Sequence, residues 1–253
     1  MDAFTNPKFC REILSIAQAF GPYDFWYENL DYGKNPDATW RALLVVGCLK
    51  DDGCLVRICK LLISPDSRVR AWACFALGQI KSEIALEQIY AMNADPSNRV
   101  RVHAWQAIQT IVGPEESKRQ FPIRKSPRHS LIMVSTDSVM DQLYFSKYFK
   151  QMGYQVIIAP TEKETLEKSL KIKPDAIVTD NQKIGERVVD NLSGINMTWD
   201  ICRQTKLRET IIIMISSDFV EPIFIWSGGD YYISKRTITK ENLGKVIVEY
   251  LNH

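Results

Sequence analysis

Three kinds of residue in this chain could do chemistry, and they are unequally placed. The six cysteines, Cys10, Cys48, Cys54, Cys59, Cys74 and Cys202, show no CxxC spacing and sit mostly among Leu, Val, Ala and Phe. That setting reads as small buried hydrophobes rather than a redox or metal site. His103 is a lone histidine at helical spacing, which reads as a packed ring rather than a general base. Asp180 is different, because it ends the apolar run "DAIVTD". Asp is a common turn residue. Asp180 therefore either turns the chain or is placed for chemistry, and the surrounding elements decide which.

Those elements alternate. "SLIMVS", "YQVIIAP", "DAIVTD", "TIIIMIS" and "DYYIS" read as strands, and "SVMDQLYFSKYFKQMG", "EKETLEKSLKIK", "MTWDICRQTKL" and "TKENLGKVIVEYLN" as helices between and after them. Continuous β-branched runs suit strands buried on both faces. The order predicts a five-stranded, doubly wound parallel sheet of the flavodoxin-like class. Ligands of such sheets bind beyond the carboxyl ends of the strands. Asp180 stands at the carboxyl end of the third strand.

Over about residues 129 to 253 the sequence resembles a response-regulator receiver domain. The family pattern "P-D-x-(apolar)-x-x-D" is met by Pro174, Asp175 and Asp180. Its hydroxyl closing the fourth strand is met by Ser216, and its aromatic and lysine on the fifth strand by Tyr232 and Lys235 in "GGDYYISK". The resemblance implies that Asp180 is a phosphoacceptor, that Lys235 pairs with it, that Ser216 swings to meet the phosphoryl group, and that Tyr232 is a coupled rotor. It implies a histidine kinase as one partner.

The family also carries two adjacent acids at the end of the first strand. They help hold Mg²⁺, a hard cation that wants oxygen ligands and on which phosphoryl transfer to a carboxylate depends. Here those positions are Ser135 and Thr136, with Asp137 one residue later. One step along a strand re-aims a side chain. Two readings stand. Asp180 and Lys235 are an inherited ion pair in a domain that no longer takes phosphate, which the missing acids favour, or Asp137 joins Asp180 in a rescued metal site. After Asp180, "NQKIGERVVDNLSG" reads as a long loop. The piece "SDFVEPIFIWSGGDY" is short and holds Pro222. Its Phe224, Ile225 and Trp226 form either an altered docking face for a protein partner or the core of a short helix.

The first half of the chain repeats itself. "DSRVRAWACFALGQI" from Asp66 matches "SNRVRVHAWQAIQTI" from Ser97, with Val69 opposite Val100, an offset of 31 residues. Moving back by the same step lands on "ATWRALLVVGCL". A fixed period near thirty with a helical apolar stripe marks an α-solenoid. The pattern "D-x-x-V-R-x-x-A-x-x-A-L-G-x-I" resembles the short HEAT-like repeats of phycobilisome-lyase-type proteins over roughly residues 34 to 112. That resemblance implies that Asp66, Arg70 and Arg101 link neighbouring repeats as a ladder. The first unit departs from it, with Thr39 at the Arg position. The aromatic segment "GPYDFWYENLDYG" reads either as a cap for the open end of the stack, which repeat proteins need and which is the favoured reading, or as a binding patch.

Composition sets the remaining bounds. The chain has 253 residues, 45% hydrophobic and 25% charged, an ordinary globular mixture. A formal net charge of only +2 argues against nucleic acid or an anionic membrane as the main partner. The start, "MDAFTNPKFC", lacks a basic region ahead of an apolar stretch, so a cytoplasmic protein without a secretory signal is expected. "GPEESKRQFPIRKSPRH" holds three prolines and clustered Lys and Arg without periodicity, which reads as a linker. The expected domains are a helical repeat domain at 1–112, a linker at 113–129 and a receiver-like domain at 130–253.

The function expected is that of a signalling adaptor and not an enzyme, with no cofactor unless Asp137 and Asp180 hold Mg²⁺. Its protein partner is expected on the repeats and on the face holding Phe224 and Trp226. Two alternatives are bilin handling, by analogy with the repeats, and nucleic-acid binding through the Arg rows and the basic linker, which predicts steep salt dependence.

Overall fold

The computed structural model describes residues 6–31, 35–115, 130–181, 193–217 and 220–252. The chain divides into two compact units, Met1–Arg124 and Lys125–Asn252. The expected linker falls mostly on residues 116–129, and the loop after Asp180 mostly on 182–192, both outside the described residues.

The first unit is helical, with α1 (Pro7–Phe20), α2 (Tyr23–Glu28), α3 (Pro36–Leu49), α4 (Leu55–Leu61), α5 (Ser67–Ile80), α6 (Leu86–Ala91) and α7 (Asn98–Val112). The repeat is visible in its caps. Asn35, Asp66 and Ser97 are the N-cap positions of α3, α5 and α7. Asn35 Oδ1 accepts from the Asp37 and Ala38 amides at 3.0 and 3.3 Å. Asp66 Oδ1 accepts from the Arg68 and Val69 amides at 2.9 and 3.3 Å. Each satisfies amides that the first helical turn leaves without a backbone partner. At the other end, α3 and α5 stop on left-handed lysines, Lys50 at φ 57° and Lys81 at φ 58°.

The long helices α3, α5 and α7 pack in sequence order. Small residues set their spacing. A Cβ on Gly78 would lie 2.8 Å from the Cα of Ala107, so only glycine lets α5 approach α7 this closely. Leu43, Leu44, Leu77, Val100 and Ile108 fill the core. Through it runs an aromatic column, with Trp40 stacked on Trp72 at 5.8 Å and Trp72 edge-on to His103 at 5.2 Å. His103 is 1% exposed, a packed ring as its spacing predicts. In α2, Trp26 is buried and donates its indole N–H to the Ala17 carbonyl at 3.3 Å.

The second unit alternates β1 (Leu131–Ser135), α8 (Val139–Gln151), β2 (Gln155–Ala159), α9 (Glu162–Ile172), β3 (Ala176–Thr179), α10 (Ser193–Cys202), β4 (Ile211–Ser216), α11 (Glu221–Trp226), β5 (Tyr231–Ser234) and α12 (Lys240–Asn252). The five strands are parallel in the order β2-β1-β3-β4-β5, which is the flavodoxin-like order. β3 and β4 are buried at every residue, as their β-branched runs require. The strand order reverses between β1 and β3, so the crevice expected in such folds opens where Ser135 and Thr179 stand side by side. Among the described residues no helix is long and apolar enough to cross a membrane.

One expectation about this unit is corrected. Phe224 and Trp226 are 0% and 3% exposed and form no docking face. Pro222 is the second residue of the six-residue α11. Phe224 then lies against Gly229, where an added Cβ would come within 2.1 Å of the Phe224 ring. Of α11, Ile223 is the apolar residue left outside, at 36% exposed.

Candidate functional site

Three backbone segments converge at the carboxyl edge of the sheet. Asp180 follows β3, and its amide donates to the Ser135 carbonyl at 3.2 Å. Lys235 follows β5, and its amide donates to the Ser216 carbonyl at 2.8 Å. The Tyr232 hydroxyl donates to the same carbonyl at 3.2 Å. Gly194 of α10 lies beneath Asp180, where a Cβ would meet the Asp180 carbonyl oxygen at 2.6 Å. The carboxylate and the amine are thus set from strands β3 and β5, with β4 between them.

The two groups meet. Lys235 Nζ donates to Asp180 Oδ2 at 2.6 Å and also to Asp141 Oδ2 at 2.8 Å. Asp141 lies in the first turn of α8, where Ser138 caps the helix by accepting the Asp141 amide at 3.2 Å. The helix dipole favours an acid there. The ammonium is therefore shared by two carboxylates, and the cluster carries a formal excess of one negative charge at neutral pH. Burial pushes the Asp180 carboxyl above its ordinary value. Lys235 pulls it down by hydrogen bond and charge, the Asp141 charge pushes it up again, and the net direction is upward. Burial alone would lower the Lys235 amine, but its bonds to Asp141 and Asp180 outweigh that and raise it.

The other expected pocket residues point elsewhere. Ser135 Oγ pairs with Thr165 Oγ1 at 2.7 Å and Met197 Sδ at 3.5 Å, both in the core. Thr136 Oγ1 accepts the Ser138 amide at 3.3 Å, and the Thr136 carbonyl accepts Gln142 Nε2 at 2.7 Å. Both oxygens of Thr136 thus shape the turn into α8. Asp137 is exposed on that turn and makes neither of the bonds that hold Lys235. Ser216 is 1% exposed at the end of β4. Asn181, next to Asp180, is 5% exposed, and both polar atoms of its side chain are buried without a hydrogen-bond partner among the described residues.

In the helical unit, Arg70 clamps Asp95 with two parallel bonds, Nε to Oδ2 at 2.7 Å and Nη2 to Oδ1 at 2.9 Å. It also donates to the Ser64 carbonyl at 2.8 Å. Arg101 donates to the Asp95 carbonyl and to Asn98. Asp95 also accepts the Ser97 amide at 2.8 Å, so this one acid joins the arginines of two successive repeats. Sequence reasoning names Arg70 and Arg101 but not Asp95, which lies outside the repeated motif. It misses Asp141 too.

These two units, a stack of capped helix pairs and a parallel sheet with an acid–lysine cluster at its carboxyl edge, define a helical repeat joined to a flavodoxin-like domain. Comparison with known proteins adds names on each side. Residues 24–119 match the family model for HEAT repeats. The chain is similar to the chemotaxis response regulator CheY4 of Vibrio cholerae at 21% identity, over 49% of this chain and 99% of that one, with a TM-score of 0.43. It is similar to the receiver domain of the sensor histidine kinase PA1611 of Pseudomonas aeruginosa at 18% identity, over 49% and 98% of the chains, with a TM-score of 0.42. It is similar to the response regulator TrrA of Thermotoga maritima, solved with Mg²⁺ and BeF, at 19% identity, over 48% and 99%, with a TM-score of 0.41. No curated protein matches the chain.

Proposed function

We propose that the chain is a signalling adaptor in which a receiver-like sheet domain, working without phosphoryl transfer, is joined to HEAT repeats that bind a protein partner. The observation that carries this reading is at the end of β1, where hydroxyls stand in place of the two acids and are already engaged, Ser135 with Thr165 at 2.7 Å and Thr136 with the Ser138 amide at 3.3 Å. Lys235 pairs with Asp180 at 2.6 Å but is shared with Asp141 at 2.8 Å, so one ammonium serves two carboxylates. The residues present do not fit Mg²⁺, which demands near-octahedral oxygen ligation. The hydroxyls of Ser135 and Thr136 are engaged in the core and in a helix turn, Asp137 is exposed, and Asp141 and Asp180 both face the ammonium. Without a metal the charge that develops on a transferring phosphoryl group falls to Lys235, which two carboxylates already share.

Incubation of the full chain with Mg²⁺ and acetyl phosphate, followed by intact-mass spectrometry, is expected to leave the mass unchanged, and beryllofluoride is expected not to bind. A Mg²⁺-dependent phosphoryl adduct that disappears in Asp180→Asn would overturn the reading. The repeats supply the binding half, since stacked helices present an extended surface with shared, rigid geometry.

A further inference from the structure

α8 has two apolar faces. Phe145 and Phe149, at 6% and 0% exposed, pack inward. On the outer side Val139, Met140, Leu143 and Tyr144 are 64%, 75%, 62% and 43% exposed. Their spacing of one, three and one residues puts all four on a single stripe of the helix surface. Single exposed apolar residues need no explanation, but four in one stripe on the outside of an otherwise amphipathic helix mark a contact surface.

Charge says what covers it. Asp137 is exposed just ahead of the helix, and Lys147 and Lys150 are exposed near its C-terminal end on the same side as the stripe. The face is negative at one end, apolar in the middle and positive at the other. A surface of that form is complementary to itself when turned end for end. We propose that α8 pairs antiparallel with α8 of a second copy of this chain, about a two-fold axis at Leu143 and Tyr144. Each Asp137 then faces the lysines of the other copy, and each contact occurs twice, as an isologous interface requires. Opposed helix dipoles favour the same direction. A parallel pairing would set lysine on lysine. The 13-residue helix offers less area than a standard stable interface, so the dimer is weak and concentration-dependent. The inference stands apart from the proposed function, because none of these residues bonds to Asp180 or Lys235.

Sedimentation equilibrium of the full chain across the micromolar range tests it. Wild type should show a reversible monomer–dimer equilibrium, and Leu143→Glu should be monomeric with an unchanged circular dichroism spectrum. Asp137→Lys and Lys150→Asp should each raise the dissociation constant roughly fivefold, as two symmetry-related surface pairs are lost. The double variant, which swaps the charges, should return close to wild type. A wild-type chain that stays monomeric, a dimer that survives Leu143→Glu, or a double variant weaker than either single would overturn the pairing.

Discussion

Asp180 carries a charge that its surroundings only partly balance. Two carboxylates share one ammonium, and burial holds the Asp180 carboxyl above its ordinary 3.8. A group whose folded value exceeds its unfolded value gives stability that is complete below the unfolded value and is lost as pH rises through the folded one. At neutral pH ionised Asp180 therefore weighs against the fold. Asp180→Asn should unfold at a higher urea concentration than wild type at neutral pH, and the two midpoints should converge as pH falls through the window down to 3.8. Urea is the right denaturant because guanidinium salt would screen the charges. A variant less stable than wild type at neutral pH, or a gap that widens on acidification, would contradict the charge argument. The parts of this cluster differ in how far the sequence announces them. Asp180, Ser216 and Lys235 each close a β-rich run, and the carboxyl ends of parallel strands converge. Asp141 sits in a helix's first turn, where an acid is ordinary. Nothing local marks it as the one that reaches Lys235, 94 residues away.

At the scale of elements, one acid outside the repeated motif ties the arginines of two successive repeats together. Asp95 is 6% exposed and its partner Arg70 13% exposed as side chains. Removing the acid takes both parallel bonds from a nearly buried guanidinium and also frees the Ser97 amide. Asp95→Ala should cost about 3 kcal/mol, read as a lower urea midpoint for the helical signal in circular dichroism. A loss below about 0.5 kcal/mol would show the pair to behave as an exposed one. The solenoid is legible in sequence because caps, small residues and apolar stripe recur together at one spacing. Asp95 is not, since the position one repeat earlier is Ser64 and the acid has no counterpart to align with. The reverse holds in α11. The run of Phe224, Ile225 and Trp226 after Pro222 reads alike whether it faces solvent or core. Its burial is decided by Gly229, which leaves room for the Phe224 ring, and that contact lies outside the run itself.

At the scale of the whole molecule, the two units have separate means of holding together. The helical one relies on Trp40, Trp72 and the close approach of α5 to α7. The sheet one relies on the buried runs of β3 and β4 and on helices packed over them. The division falls between Arg124 and Lys125, inside a stretch with Lys118, Arg119, Arg124, Lys125 and Arg128 interspersed with prolines. Contacts thin out at such boundaries, and proteases act where backbone can be pulled into an extended form without breaking a core. Brief trypsin treatment of the native chain should therefore cut first within residues 116–129, giving two fragments of similar mass. Each should retain its own cooperative urea transition after separation, since each buries its own apolar surface. Mass spectrometry of the first products locates the cut. A first cut inside α3 to α7, or within the sheet, would mean that one of the units is the less stable element. A fragment that unfolds without a transition would mean that the core it contains is incomplete without the other half.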